Sequence, residues 1–324
     1  MVRIRNVGIN HGDCFFIEVE NGINKSIIMV DGRKGDQKSL DEIKEVILEY
    51  GSINYLIVTH IDNDHINGIL KIYNLSKRDP VRQAFFNTII LYNYVTKPVI
   101  SYSQAQEFEK FIQDNVVVST VNKYYYQYYS PCLKILSATQ RRDMDPREQE
   151  DFENYAVLTL LNPHKEGVEQ VYKDYIKHPK RSTADLVNRN SIVFMLEYGK
   201  HIALFTGDCY MKNITDEIDQ LKNMKGVGGY REIDVIKLPH HGSKENNKGL
   251  AEFARNHGTR EFIVTGKETW DKDHPSKEIL MELDDIAEGI SQIVLHTHTD
   301  LSDLSELKHI TLDKKDIIEW RDEK

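Results

Sequence analysis

Residues 55–69 read YLIVTHIDNDHINGI. Tyr55, Leu56, Ile57 and Val58 form a short apolar run that ends directly at His60, and HINGILKIYN then has the look of a helix start. The spacing predicts a buried strand over 55–59. In an extended segment His60 and Asp62 fall on one side, while Asp64 and His65 lie in the turn that follows. Four ligand-type side chains within six residues cannot sit dry and unpaired without a large desolvation cost. Either this is a polar turn open to solvent, or it is a binding site.

Two further places repeat the pattern. HIALFTGDCY (201–210) sends an apolar strand into a glycine turn and presents Asp208, and DVIKLPHHGSK (234–244) presents His240 and His241. Strand ends that each deliver metal-type ligands are what a site at one edge of a sheet requires. The chain opens with the strands VRIRNVGI, CFFIEVE and SIIMVDG, the last two joined by an Asn21-Gly22 hairpin. A helix follows over SLDEIKEVILEY (39–50), with Ser39 as N-cap. After 156 strands alternate with helices through AVLTLLN, SIVFMLEY, NITDEIDQLKNM, GLAEFARNH, EFIVTG, SKEILMELDDIAEG, SQIVLHTH and HITLDKKDIIEW. Two strand-then-helix halves sharing one core are expected, as a single domain over 1–324 with an insertion at about 75–155. Within that insertion TIILYNYV reads as a strand, SYSQAQEFEKFIQD as a helix and ATQRRDMDPREQEDFENY as a charged loop. The five tyrosines of VNKYYYQYYS are either a packing ridge or a stacking platform.

With 42 Lys and Arg against 51 Asp and Glu, the 324-residue chain has a formal net charge of −9. That argues against a broad basic face for duplex DNA, although a local groove with Lys237, Lys244, Lys248, Arg181 and Arg189 as candidates remains open. Cys14, Cys132 and Cys209 have no C-x-x-C spacing and read as reduced thiols. No leader pattern opens the chain and no run approaches about 18 apolar residues, so a cytoplasmic protein with no membrane association is expected.

Taken jointly, THIDNDHINGI, FTGD and LPHHGS resemble the metallo-β-lactamase superfamily of binuclear hydrolases. They are most similar to the subgroup like the nuclease-like domain of bacterial competence DNA-uptake proteins. Gly12-Asp13 in HGDCFFIEV, Asp31 in MVDG and the His274-Pro275 pair match that subgroup too. The resemblance implies an α/β fold, an αββα sandwich of two mixed β-sheets flanked by helices. It implies two divalent ions, Zn²⁺ or Mn²⁺, on His60, Asp62, Asp64, His65, Asp208 and His240, with Asp208 bridging. A further family histidine falls between the first motif and the GD motif, and His164 in TLLNPHKE is the candidate, ahead of His178. Asp62 stands where the family pattern has His, which hardens one site and shifts the balance toward Mn²⁺.

Asp62 or Asp64 can take the proton from an activated water, and His241 is a third candidate catalytic group. Asp13, Ser243, Lys244 and His274 are candidates for contact with substrate, with turn and helix capping as the other reading of Ser243, Lys244 and Asn67. His11, His201, His257 and His309 read as ordinary, His296 and His298 as surface or supporting groups, and Cys209 as packed behind Asp208. The resemblance implies a phosphodiesterase or nuclease acting on DNA, RNA or nucleotides. The alternatives are a hydrolase of small esters or lactones, and an interaction or sensor subunit whose 75–155 segment meets a protein partner.

Overall fold

The structure, a computed structural model, describes residues 1–8, 11–92, 107–108, 110–112, 120–121, 128–144, 155–178, 184–222, 232–270, 273–287, 292–314 and 317–321. In chain order the elements are β1 (Val2–Asn6), β2 (Phe15–Asn21), β3 (Asn24–Val30), α1 (Gln37–Tyr50), β4 (Tyr55–Ile57), α2 (Asn63–Tyr73), α3 (Pro80–Gln83) and β5 (Ile89–Leu91). They continue with β6 (Thr120–Val121), β7 (Tyr128–Tyr129), β8 (Leu133–Ser137), α4 (Ala138–Asp143), β9 (Ala156–Asn162), α5 (Lys165–Lys177), α6 (Ala184–Arg189), β10 (Val193–Tyr198) and β11 (His201–Phe205). The last are α7 (Met211–Lys222), β12 (Val235–Lys237), α8 (Leu250–Asn256), β13 (Glu261–Val264), α9 (Lys277–Ala287), β14 (Ile293–Thr297), β15 (Ile310–Asp313) and β16 (Ile317–Trp320).

These strands make two mixed sheets, ordered β16-β1-β2-β3-β4-β5-β6 and β15-β14-β13-β12-β11-β10-β9-β8-β7. The period of two along each strand decides how they pack. Phe15, Ile17 and Val19 of β2 join Phe194, Leu196, Ala203 and Phe205 of the second sheet in the central core. Phe16, Ile27 and Met29 turn the other way, onto Ile43, Val46 and Ile47 of α1 and Ile66 and Ile69 of α2. On the far side Met195, Ile202 and Leu204 meet Ile214 and Ile218 of α7, Phe253 of α8 and Leu280 and Leu283 of α9. The layers therefore run helix, sheet, sheet, helix. Phe15 contacts Phe205 edge to face across the middle, with ring centroids 5.3 Å apart.

Two local expectations are corrected. Asp36, not Ser39, caps α1: its carboxylate accepts from the Ser39 backbone N–H at 3.1 Å, while Ser39 is buried. Residues 138–143, expected in a charged loop, form α4 because Ser137 and Gln140 make a capping box. Of the segment read as an insertion, β5 and β6 extend the first sheet and β7 and β8 the second. Tyr128 and Tyr129 belong to β7, and the other three tyrosines of the run lie outside the described residues. Among the described residues no helix is long and apolar enough to cross a membrane.

Candidate metal centre

In the first sheet β3, β4 and β5 run parallel, and in the second β11, β12, β13 and β14 do. Their C-terminal ends open onto one rim of the sandwich. There β3 delivers Asp31, β4 delivers Thr59 and His60, β11 delivers Asp208, β12 delivers His240 and His241, and β13 delivers Thr265. Asp13 arrives from the loop before β2, and Asp62, Asp64 and His65 from the start of α2.

Asp208 is the pivot. Its Oδ2 lies 3.5 Å from His60 Nε2 and 3.6 Å from His240 Nε2. Its Oδ1 lies 3.3 Å from His65 Nε2 and 3.9 Å from His241 Nε2. One carboxylate thus faces two donor sets. Asp62 joins the first, 3.9 Å from His60 Nε2, and Asp64 joins the second, 3.2 Å from His241 Nε2.

Each imidazole has its other nitrogen tied down, and the ties fix the tautomer. The Thr59 hydroxyl donates to Asp31 Oδ2 at 2.5 Å and accepts from His60 Nδ1–H at 3.1 Å. His65 Nδ1–H donates to the same carboxylate oxygen at 2.7 Å. On the second sheet the Thr265 hydroxyl donates to Asp13 Oδ1 at 2.6 Å and accepts from His241 Nδ1–H at 2.8 Å. His240 Nδ1–H donates to Asn246 Oδ1 at 3.2 Å, and Asn246 is held by Ser243. All four rings therefore turn Nε2 toward Asp208.

The backbone is bent to achieve this. His240 and His241 are consecutive left-handed residues, with φ of 45° and 53°, a conformation that costs non-glycine residues about 1 to 2 kcal/mol each. An extended chain would have pointed His241 away. The turn instead brings both rings to the same carboxylate.

The donor set fits divalent cations. His60 Nε2, His65 Nε2 and Asp208 Oδ1 are buried with no hydrogen-bond partner, yet the three residues' ligand atoms lie within 4.8 Å of one another. Burial, then the charge of His65, pushes His60 down to about 3. Burial works against a charge on His65 too, but the carboxylates of Asp208 and Asp31 hold it well above its ordinary value. His241 is raised in the same way, against burial, by Asp208 and Asp13. Burial and the neighbouring Asp64 push Asp62 up to about 6. The carboxylates around His65 and His241 favour positive charge there, which a bound cation would supply in place of protons.

No known family pattern and no curated protein sequence matches the chain. Among solved structures, the metallo-β-lactamase fold protein YhfI from Bacillus subtilis aligns over 98% of this chain and 98% of its own, at 10% identity and a TM-score of 0.50. The chain has the metallo-β-lactamase fold. Tm1679, a metal-dependent hydrolase of the β-lactamase superfamily, aligns over 93% of this chain and 98% of its own, at 12% identity and a TM-score of 0.48. Within the metallo-β-lactamase fold of this chain, the rim just described gathers His60, Asp62, Asp64, His65, Asp208, His240 and His241.

Other expected site residues lie elsewhere. His164 caps α5, half exposed, with Nε2 2.5 Å from Glu217 of α7, and it is in none of the His and Asp clusters among the described residues. Lys244 is exposed and paired with Glu278 at 2.9 Å, because the chain has turned outward after Gly242. Ser243 serves as an internal brace, as above, and Asn67 donates to Asn63 one turn back in α2. Asp13 is buried, 2.5 Å from Lys237 Nζ, and orients His241 through Thr265 instead of facing outward. Lys237 is buried too, donating to the Gly207 carbonyl at 2.9 Å, and so offers no surface charge. Arg189 pairs with Asp185 and Lys248 with Glu245, while Arg181 lies outside the described residues. His274 does stand at the rim, its ring 5.2 Å from that of His240. His296 is bound to Glu261 at 2.8 Å.

Sequence reasoning passed over His11. Its Nε2 lies 3.2 Å from Asp64 Oδ2, and the available signal was its position directly before the Gly12-Asp13 pair. Thr59 and Thr265 were also missed, although each sits at a strand end and bonds a histidine of the rim.

Proposed function

We propose that this chain is a metal-dependent hydrolase that cleaves phosphodiesters, in nucleic acid or in nucleotides. The observation that carries this reading is Asp208, whose Oδ2 lies nearest His60 and His240 and whose Oδ1 lies nearest His65 and His241. His60, Asp62 and His240 would hold one divalent cation and Asp64, His65 and His241 another, with Asp208 common to both. Bound there, such cations supply Lewis acidity and a nucleophile drawn from water at neutral pH.

The chain's own residues do the rest. Asp31 with Thr59, Asp13 with Thr265, and Asn246 with Ser243 hold the Nδ1 side of the four imidazoles and aim each Nε2 at one place, so little reorganisation is needed when substrate arrives. Asp62 and His240, about a third exposed, form the open lip. Asp62 at that lip can accept the proton released as water attacks. The buried ammonium of Lys237, 3.7 Å from Asp208 Oδ1, offsets part of the carboxylate charge beneath the site. The choice of a phosphodiester rests on the motif resemblance and on the suitability of paired cations for in-line displacement at phosphorus. The chain carries a formal net charge of −9, and bound metal would supply the positive charge that draws a phosphate.

Metal content measured together with hydrolysis of bis-p-nitrophenyl phosphate and labelled single strands, in Zn²⁺ or Mn²⁺, tests the proposal. Turnover lost in both Asp64→Ala and Asp208→Ala is expected. Bound metal with no turnover of any phosphodiester would overturn it, and turnover of p-nitrophenyl acetate or a lactone in its place would redirect the substrate class.

A further inference from the structure

The geometry points to His11 as an additional metal ligand, beside Asp64 and His241 in the half of the centre that they share with His65 and Asp208. This rests on the metal-centre reading above and adds a residue from a different part of the chain.

His11 Nε2 and His241 Nε2 each lie 3.2 Å from the same oxygen, Asp64 Oδ2. Two donors each about 2.1 Å from one ion stand about 3.0 Å apart at a right angle and about 3.4 Å apart at the tetrahedral angle. The observed separations fall between those limits, and the ligand atoms of all three residues lie within 4.8 Å of one another. The two rings are tilted by 55° with centroids 4.3 Å apart, so they converge on the oxygen without stacking flat.

The His241 ring already uses Nδ1–H on Thr265, which leaves Nε2 to hold either a proton or a cation. His11 is fixed in place by its neighbour. Gly12 has φ of +118°, and a Cβ there would fall 2.1 Å from the Asp64 carbonyl oxygen. Only glycine lets this loop close onto the start of α2, and closure carries His11 onto the Asp64 carboxylate. With His65 and the shared Asp208, His11 gives this half three imidazoles beside its two carboxylates, and imidazole is a donor that suits Zn²⁺ whereas carboxylate suits Mn²⁺. His11 thus shifts this half of the centre toward a borderline ion such as Zn²⁺ and away from Mn²⁺, opposite to the influence of Asp62 on the other half.

The full chain is stripped with EDTA and titrated with Zn²⁺ by calorimetry, bound metal is counted by mass spectrometry, and Co²⁺ absorption reports the ligand field. His11→Ala and His11→Gln are compared with wild type, and circular dichroism melts verify folding. Gln keeps a polar contact to Asp64 if Ala disturbs the loop. Two equivalents of Zn²⁺ are expected in wild type. In both variants one equivalent should weaken by about 10-fold or more, the scale at which even outer partners of a ligand act, with altered Co²⁺ bands. Equal stoichiometry, affinity and Co²⁺ spectra in all three proteins would overturn the role of His11. A wild-type protein that binds no metal would instead overturn the metal centre itself.

Discussion

Asp31 meets His65 at Nδ1, the nitrogen opposite the one that faces Asp208, yet its replacement by Asn should disable the centre. The carboxylate accepts from Thr59 N–H at 2.8 Å, from the Thr59 hydroxyl at 2.5 Å and from His65 Nδ1–H at 2.7 Å. Asn has the same shape and tolerates the left-handed backbone that Asp31 adopts, with φ of 56°, so the backbone should hold. Its amide offers one acceptor oxygen and one NH₂ group. If the oxygen keeps the Thr59 N–H, the NH₂ faces His65 Nδ1 and forces that nitrogen to accept. The His65 proton then moves to Nε2, where the lone pair toward Asp208 is lost. Disrupting such an outer partner lowers metal affinity by about 10- to 100-fold, or about 1.4 to 2.8 kcal/mol. Calorimetric titration of the EDTA-stripped protein with Zn²⁺ reads this directly, and kcat on bis-p-nitrophenyl phosphate should fall with it. Affinity and turnover both equal to wild type would refute the tautomer reasoning.

Other perturbations separate the supporting parts. Lys237→Met strips the ammonium from two buried carboxylates, and the metal-free protein should lose about 3 to 5 kcal/mol in urea melts; an unchanged midpoint would show that Asp13 and Asp208 do not depend on it. Gly12→Ala puts a methyl into the Asp64 carbonyl, so it should lower the melting temperature and Zn²⁺ affinity together, whereas a change in neither would mean that the loop is free to move. Asp284 accepts the backbone N–H groups of Lys308 and His309 at 3.0 and 2.7 Å. Although burial opposes it, these bonds hold its carboxyl below the ordinary value. A depressed carboxyl contributes stability that is present above its unfolded pKa of about 3.9 and lost as pH falls through the folded value. Asp284→Asn should therefore cost about 1.5 to 3 kcal/mol at pH 7, with the gap to wild type closing below about pH 4; a gap independent of pH would contradict this.

Much of the architecture was readable because both sheets obey an alternation, as in Phe15, Ile17 and Val19 against Phe16, and because the candidate ligands stand where apolar runs stop. Strand ends drew attention to His60, Asp208 and His240, with Asp64 and His65 in the turn that follows, and the family resemblance named the five together. What escaped was direction. His164 also follows a strand, β9, but caps α5 and turns to Glu217. Lys237 looked like surface charge, yet β12 is an inner strand of a sheet covered on both faces, so its ammonium must find partners inside. The direction of His241 depended on whether the chain stayed extended or turned, and two consecutive left-handed residues bring its ring to Asp208. Periodicity predicts faces within an element; it says little about a turn whose conformation is set by contacts far along the chain, as at Gly12.

Asp31, His60, Asp62, Asp64 and His65 come from the first sheet and its helix, while Asp208, His240, His241 and Thr265 come from the second. Any slip of one layer over the other would misalign the donors before it opened the hydrophobic interior. On the proposed metal reading, cation affinity is a strain gauge for the whole sandwich: substitutions at Phe15 or Phe205 should register as weakened metal binding well before they register as unfolding.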